Sequence, residues 1–316
     1  MKTILVALAA SLAMSSLPAT AAEREVSIDG GRAPLYGTLL TPDGAKPGPA
    51  VLLIAGSGPT DRDGNSSVAS VQPANLKLIA EGLAAHGIAS LRFDKRGIGK
   101  SRQAILAESE LRFTTYVDDA AAFARFLQAQ PGVNCVVLAG HSEGALIAPL
   151  AAQKVKTCGI ISISGTGRPL GIILRSQLAA SGLPPETLKQ ADQVLVELEH
   201  GREVPGIPAT DPLFRPSVQP YLISQLTLDP TTTLKAYPGP VLILQGDTDI
   251  QVSVEDARML AAARPDATLV IVHGANHVLK TAPIDRAANI AAYADPTRPL
   301  APGIMEAIDG FVDRLR

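Results

Sequence analysis

Short apolar runs recur along the chain and are separated by stretches with helical spacing. Ala50 to Ala55 reads AVLLIA, and comparable runs cover Ile88 to Phe93, Val136 to Ala139, Gly159 to Ser164, Val241 to Gln245 and Thr268 to Val272. Runs that stay apolar, rather than alternating with polar residues, are expected of parallel strands buried on both faces. Before them, Glu23 to Thr41 does alternate around Gly30-Gly31. That pattern predicts a hairpin of Arg24–Ile28 and Leu35–Leu40. Helical periodicity covers Leu76 to His86, which stops at Gly87, Phe113 to Gln130, which stops at Pro131-Gly132, and Gly303 to Leu315. Strands alternating with helices imply a mostly parallel sheet covered on both faces. The rhythm breaks between residues 167 and 236. There the helical patterns Leu170–Ala180, Pro185–His200 and Pro216–Leu226 are divided by prolines. This stretch is expected to be a helical cap inserted between a first core part, 22–166, and a second, 237–316.

The first residues read differently. Met1-Lys2 precedes an apolar run from Ile4 to about Met14, and Ala19-Thr20-Ala21 follows. A positive start, a short apolar stretch and an A-x-A site make a secretory leader over residues 1–21, cleaved after Ala21 or Ala22. The competing reading is a buried N-terminal helix. The run is too short for a membrane anchor, and no cysteine follows it to carry a lipid. Export in the bacterial manner, to the periplasm or beyond, is the expectation. With 18% charged residues and 46% hydrophobic ones, disorder is excluded, and a net charge of −2 gives no basic footprint for nucleic acid. Cys135 and Cys158 each precede an apolar run. On neighbouring parallel strands they would lie side by side, either as buried thiols or as a disulfide that contributes about 3 kcal/mol.

Chemistry concentrates at Gly140-His141-Ser142-Glu143-Gly144, between the run Val136–Ala139 and an apolar segment of helical character. A serine in G-x-S-x-G at a strand–turn–helix junction is the nucleophile elbow of the α/β-hydrolase fold. The two glycines remove Cβ atoms that would collide in so sharp a turn. A serine hydroxyl needs a base, and the base needs an orienting carboxylate. In this fold they follow in the order serine, acid, histidine, on loops at the carboxyl ends of strands. Gln245-Gly246-Asp247-Thr248-Asp249 and Gly274-Ala275-Asn276-His277 each follow a strand and supply the candidates.

With these motifs the chain resembles bacterial α/β hydrolases of the serine aminopeptidase/esterase-like, prolyl oligopeptidase-like group. GHSEG matches the elbow, GDTDIQV the acid loop, GANH the histidine loop, and the stretch from Phe93 to Ser101 the loop after the preceding strand. GSGPTDRDGN, from Gly56 to Asn65, resembles the oxyanion loop of a subgroup. The resemblance runs from about Ala50 to His277 outside the cap. It implies an eight-stranded-type, mostly parallel sheet with an inserted helical cap, and a triad of Ser142, Asp249 rather than Asp247, and His277. It also implies an oxyanion hole from the backbone N–H groups of Glu143 and Ser57. Ala55-Gly56 stands where the family often has His-Gly, which keeps Gly56 and Gly58 as alternatives to Ser57.

Other residues carry plainer expectations. His273 and His277 are four apart, but Gly274 and Asn276 oppose a helix there and no third ligand is near, so no metal or cofactor is expected. His141 is expected to point off the far side of the turn, for packing or a hydrogen bond. His86 suits a helix end, and His200 a solvated cap surface. Asp61, Arg62 and Asp63 are expected to pair with backbone or with Arg96 rather than to bind substrate, Asp94 and Arg96 to brace their loop, and the Glu143 carboxylate to face solvent rather than substrate. Apolar cap residues Leu170, Ile172, Ile173, Leu174, Leu178, Val194 and Leu195, with no Trp and 3% aromatics, favour a small-molecule ester of short-to-medium acyl groups over a peptide or sugar. Peptidase or amidase activity is the runner-up. A non-catalytic binding protein on the same fold is a third reading, disfavoured because all three triad positions are filled.

Overall fold

The computed structural model describes residues 21–66 and 71–316. Apart from Ala21, the expected leader lies outside the described residues. Eight strands form one sheet: β1 (Ala21–Ile28), β2 (Leu35–Pro42), β3 (Gly48–Ile54), β4 (Ser90–Phe93), β5 (Val133–His141), β6 (Gly159–Ile163), β7 (Val241–Gly246) and β8 (Thr268–Val272). Their order is β1-β2-β4-β3-β5-β6-β7-β8. β2 is antiparallel to both β1 and β4, and the remaining neighbours are parallel. The fold is that of the α/β hydrolases, as the sequence implied.

The strands are apolar throughout because alternate residues feed two cores. Ala50, Leu52 and Ile54 of β3 join one cluster with Val136, Leu138 and Ile243. Val51, Leu53 and Ala55 join another with Val137, Ala139 and Leu244. The helices α1 (Asn75–Ala85), α2 (Phe113–Gln128) and α3 (Glu143–Ala151) follow β3, β4 and β5. In α2 the stripe Phe113, Val117, Ala120, Ala121, Ala124 and Leu127 is buried, at the spacing of one helical face. Phe123 of the same helix stacks on Phe93 with ring centroids 4.4 Å apart.

The cap holds α4 (Leu170–Ala179), α5 (Pro185–Glu199) and α6 (Gln219–Leu226), near the ranges the sequence predicted. Val194, Leu195, Leu198, Phe214, Leu222 and Leu226 give it an apolar cluster of its own. The next helix, α7 (Pro230–Lys235), instead places Leu234 in the first sheet core. Helices α8 (Val254–Ala263), α9 (Arg286–Ala291) and α10 (Ile304–Asp313) complete the second half. Only α10 was legible beforehand. The start of α8 is nonetheless written in the sequence: Ser253 and Asp256 cap it reciprocally.

β5 and β6 pair in parallel from Val137↔Gly159 onward, and Cys135 and Cys158 are bonded there, with Cα atoms 5.9 Å apart. The disulfide alternative holds, at the end of the sheet away from Ser142. Reducing this bond, or replacing both cysteines by serine, is expected to lower stability by about 3 kcal/mol, the loop-closure value for a bridge of this span. Urea unfolding of the oxidised and reduced forms checks it, with turnover in the native range the same for both.

Candidate active site

The site begins at a switch in strand order. From β3 the chain steps to β4 on one side and then returns as β5 on the other, the place where open α/β sheets leave a crevice. β5 ends at His141 and α3 starts at Glu143, so Ser142 alone makes the turn. Its backbone has φ 54° and ψ −116°, a region that side chains avoid. The flanking glycines are a steric requirement: a Cβ on Gly140 would lie 1.9 Å from the Gly144 carbonyl oxygen, and one on Gly144 would lie 2.4 Å from that of Ile54. The Ser142 N–H is occupied, donating to Ile163 O at 2.8 Å.

The loops after β7 and β8 bring Asp249 and His277 to the serine. His277 Nε2 lies 3.1 Å from Ser142 Oγ, and Nδ1 donates to Asp249 Oδ2 at 2.8 Å. The far oxygen of Asp249 accepts the backbone N–H groups of Gln251 and Val252 at 2.8 and 2.9 Å. Gln245 Nε2, from the end of β7, adds a bond of 3.1 Å to the near oxygen. Burial opposes charge on this carboxyl, but the His277 imidazole and the two backbone donors outweigh it and hold it below the usual carboxylate range. An imidazole between a hydroxyl and a fixed carboxylate can take the hydroxyl proton while the carboxylate stabilises the resulting cation. Asp247 is not part of this line. It binds His273 Nδ1 at 2.7 Å on the surface, where the His273 side chain is 97% exposed.

The loop after β3 packs beside the turn. A Cβ on Gly56 would come 3.1 Å from the Ser142 Cβ, so this chain passes directly against the serine. Ser57 and Glu143 both line the cleft next to Ser142. The Ser57 carbonyl is turned to the Thr60 hydroxyl at 2.9 Å. Glu143 is the first residue of α3, where backbone N–H groups have no intrahelical acceptor.

Three expectations need correction. The Glu143 carboxylate does not face solvent: its side chain is 6% exposed, receives Lys95 Nζ at 2.9 Å and accepts the Tyr221 hydroxyl of α6 at 2.6 Å. Desolvating an unpaired carboxylate is costly, so its burial needs both partners. Burial and the Glu143 charge push Tyr116 up to about 12 and raise Tyr221 further, keeping both hydroxyls protonated. Lys95 also lies 4.8 Å from the centre of the Tyr116 ring. Of the two alternatives for residues 61–63, pairing with backbone holds for Asp61 and pairing with Arg96 holds for none. Arg62 binds Asp94 at 2.6 Å, Asp63 binds Arg92 at 2.8 Å, and Asp61 accepts the backbone of Asp63 and Asn65. Arg96 pairs with Asp119 of α2. His141 does not point away either. Its ring lies 5.0 Å from that of His277, and its Nε2–H donates to the His277 carbonyl at 2.8 Å. Lys95, Tyr221 and Gln245 had no reading in the sequence. Lys95 stands inside the matched loop after β4, and Gln245 is a polar residue closing an apolar strand, which were the available signals.

Above Ser142 a cleft of about 530 Å³ opens between this end of the sheet and the cap. Leu146, Leu170, Ile173, Leu174, Val218 and Leu222 give it apolar walls. Ile172, by contrast, is exposed, and Val194 and Leu195 fill the cap's own core. Among the described residues, no group of three or more His, Cys, Asp or Glu side chains could hold a metal ion.

The family model described as serine aminopeptidase, S33, matches residues 74–281. That span includes Ser142, Asp249 and His277 and begins after Ser57. Esterase EstD of Thermotoga maritima is 27% identical over 271 residues, covering 83% of this chain and 61% of the relative. The chain thus spans about three-fifths of that protein's length. Among solved structures, Est1E from Butyrivibrio proteoclasticus with ferulic acid bound aligns with a TM-score of 0.57 at 19% identity, covering 92% of this chain and 96% of its own. The Pyrococcus furiosus esterase Pf2001 aligns with a TM-score of 0.57 at 16% identity, over 93% and 91%. At these identities the structures bear on the fold.

The buried His141 gives a pH dependence. Burial, then the neighbouring His277, push its imidazole down to about 4 from an ordinary 6.5. Between those values the unfolded chain binds a proton that the folded chain refuses, so stability falls as pH drops through that window, by up to about 3 kcal/mol. Urea unfolding at pH 7 and pH 5 is expected to show about 2 kcal/mol of this loss in the wild type and less in His141→Gln.

Proposed function

The chain belongs to the serine aminopeptidase, S33, family of α/β hydrolases, and from that membership we propose that it is an exported serine hydrolase that cleaves carboxylic esters of short-to-medium acyl groups. Ser142 Oγ attacks the ester carbonyl as His277 Nε2 takes its proton. Asp249 holds the imidazole and balances its positive charge. The tetrahedral oxyanion is held by the backbone N–H groups of Glu143 and Ser57. As it collapses, His277 gives the proton to the leaving alkoxide and an acyl-serine remains. Water, deprotonated by His277, attacks the acyl-serine, and Ser142 recovers its proton as the acid leaves. The observation that carries the reading is the line Ser142–His277–Asp249, with distances of 3.1 and 2.8 Å, opening on an apolar cleft. The esterase name of the Thermotoga relative agrees with it.

The family description favours a second reading, an aminopeptidase. Such an enzyme needs a carboxylate to receive the substrate's terminal ammonium. Glu108 and Glu143 are the carboxylates lining the cleft among the described residues, and both are engaged, by Arg215 and Lys95. That supports the ester over the peptide. Export is supported by the leader pattern of residues 1–21 and by the bonded cysteines, which suit an oxidising compartment.

Ser142→Ala is expected to lower kcat on p-nitrophenyl esters by about 10⁴-fold or more while the protein stays folded. Fluorophosphonate should label the wild type at Ser142. Folded protein without labelling would favour a binding role, and faster turnover of aminoacyl anilides than of esters would favour the peptidase. N-terminal sequencing of protein from the extracytoplasmic fraction is expected to begin after Ala21 or Ala22; an intact Met1 there would refute cleavage.

A further inference from the structure

The charged side chains lining the cleft are Lys95, Arg96, Glu108, Glu143 and Arg215. Each is matched. Lys95 pairs with Glu143, Arg96 with Asp119 behind the wall, and Arg215 with Glu108. Three cations face three carboxylates, so the cleft is neutral although charged groups surround it.

The third pair differs from the others. Lys95–Glu143 and Arg96–Asp119 are nearly buried and lie wholly within the core part of the fold. Glu108 stands on a short helical turn, Glu108–Glu110, after β4, whereas Arg215 lies in the cap between α5 and α6. Their side chains are 37% and 29% exposed, within reach of a ligand entering from solvent. The contact is two-pronged: Arg215 Nε donates to Glu108 Oε2 at 2.8 Å, and Nη2 to Oε1. Each partner also has an anchor independent of the other. Arg215 Nη1 donates to the Pro212 carbonyl at 2.8 Å, and the Ser217 hydroxyl donates to Glu108. Loss of one partner therefore leaves the other tethered at the cleft wall with its charge unmatched.

We infer that the Glu108–Arg215 pair is a specificity determinant that restricts the cleft to uncharged acyl groups. The inference rests on the ester reading. While the pair is closed, a carboxylate on the acyl chain that nears Arg215 also meets the Glu108 charge, and an ammonium that nears Glu108 also meets that of Arg215. Neither approach gains a net ion pair, while the incoming charge still loses its hydration. With one partner removed, the remaining fork or carboxylate becomes a receptor for the opposite charge.

The test compares p-nitrophenyl butyrate with the p-nitrophenyl esters of succinate and of 4-(trimethylammonio)butyrate. The wild type is expected to prefer butyrate to both. Glu108→Gln should raise the succinyl-to-butyryl ratio of kcat/KM about tenfold, the size of one charge-assisted bond, without raising the cationic ratio. Arg215→Met should do the reverse. The double variant removes both charges and should return both ratios to wild-type values. Ratios that stay fixed while all three rates fall together would overturn the inference, because a purely structural pair behaves that way. So would a double variant that keeps either single variant's preference. Calorimetric titration of the corresponding Ser142→Ala forms with N-butyryl and N-succinyl anilides gives the same comparison without turnover. A chain that hydrolysed no ester would defeat the ester reading, and the titrations would still decide the pair.

Discussion

The turn at Ser142 constrains the rest of the molecule. Its backbone occupies a conformation that costs about 1–3 kcal/mol and persists only where the surroundings over-determine it. Both neighbouring strands do so. β6 accepts the Ser142 N–H through Ile163, and β3 presses its Ile54 carbonyl against Gly144, at a distance that no side chain could share. Those strands are in turn fixed from both faces, because alternate residues of β3 and β6 enter separate apolar cores. Strain at one residue is thus offset by packing spread across the sheet.

A different logic joins the cap to this frame. The cap has its own apolar cluster, so much of its attachment is polar. Arg168, just before α4, binds the fully buried Asp256 of α8 through two nitrogens at 2.8 and 2.7 Å. Tyr221 reaches Glu143, and Arg215 reaches Glu108. Glu143 is the link that matters most for chemistry. Its backbone begins the helix behind the serine, while its carboxylate ties Lys95 of the core to Tyr221 of the cap. The start of that helix and one attachment of the cap therefore meet at a single residue.

Much of this was readable from the residues in order. Strands buried on both faces announce themselves as unbroken apolar runs, and GHSEG, GDTDIQV and GANH fall where those runs end. The hairpin followed from alternation and the cap helices from helical spacing, whereas Asp249 rather than Asp247 as the partner of His277 was implied by the family resemblance. What was not readable depends on partners remote in sequence. Glu143 follows an exposed-looking turn, and its burial is decided by Lys95 and Tyr221, which lie 48 and 78 positions away. Asp94 takes Arg62 rather than Arg96, whose guanidinium is held by Asp119 on the buried side of α2. Local pattern carries no record of which of two nearby arginines a folded chain will satisfy first. Helix α8 is obscured for another reason: its capping residues Ser253 and Asp256 directly follow the acid-loop motif.

The surface pair Asp247–His273 has almost the same bond as Asp249–His277, 2.7 against 2.8 Å, and comes from the same two loops two and four residues earlier. Yet it faces water, with no hydroxyl joined to it. The molecule thereby contains its own reference compound. A spectroscopic signal from the outer couple reports what an aspartate does to an imidazole in solvent, and its difference from the inner couple's signal gathers what enclosure, the Ser142 hydroxyl and the extra donors on Asp249 add together.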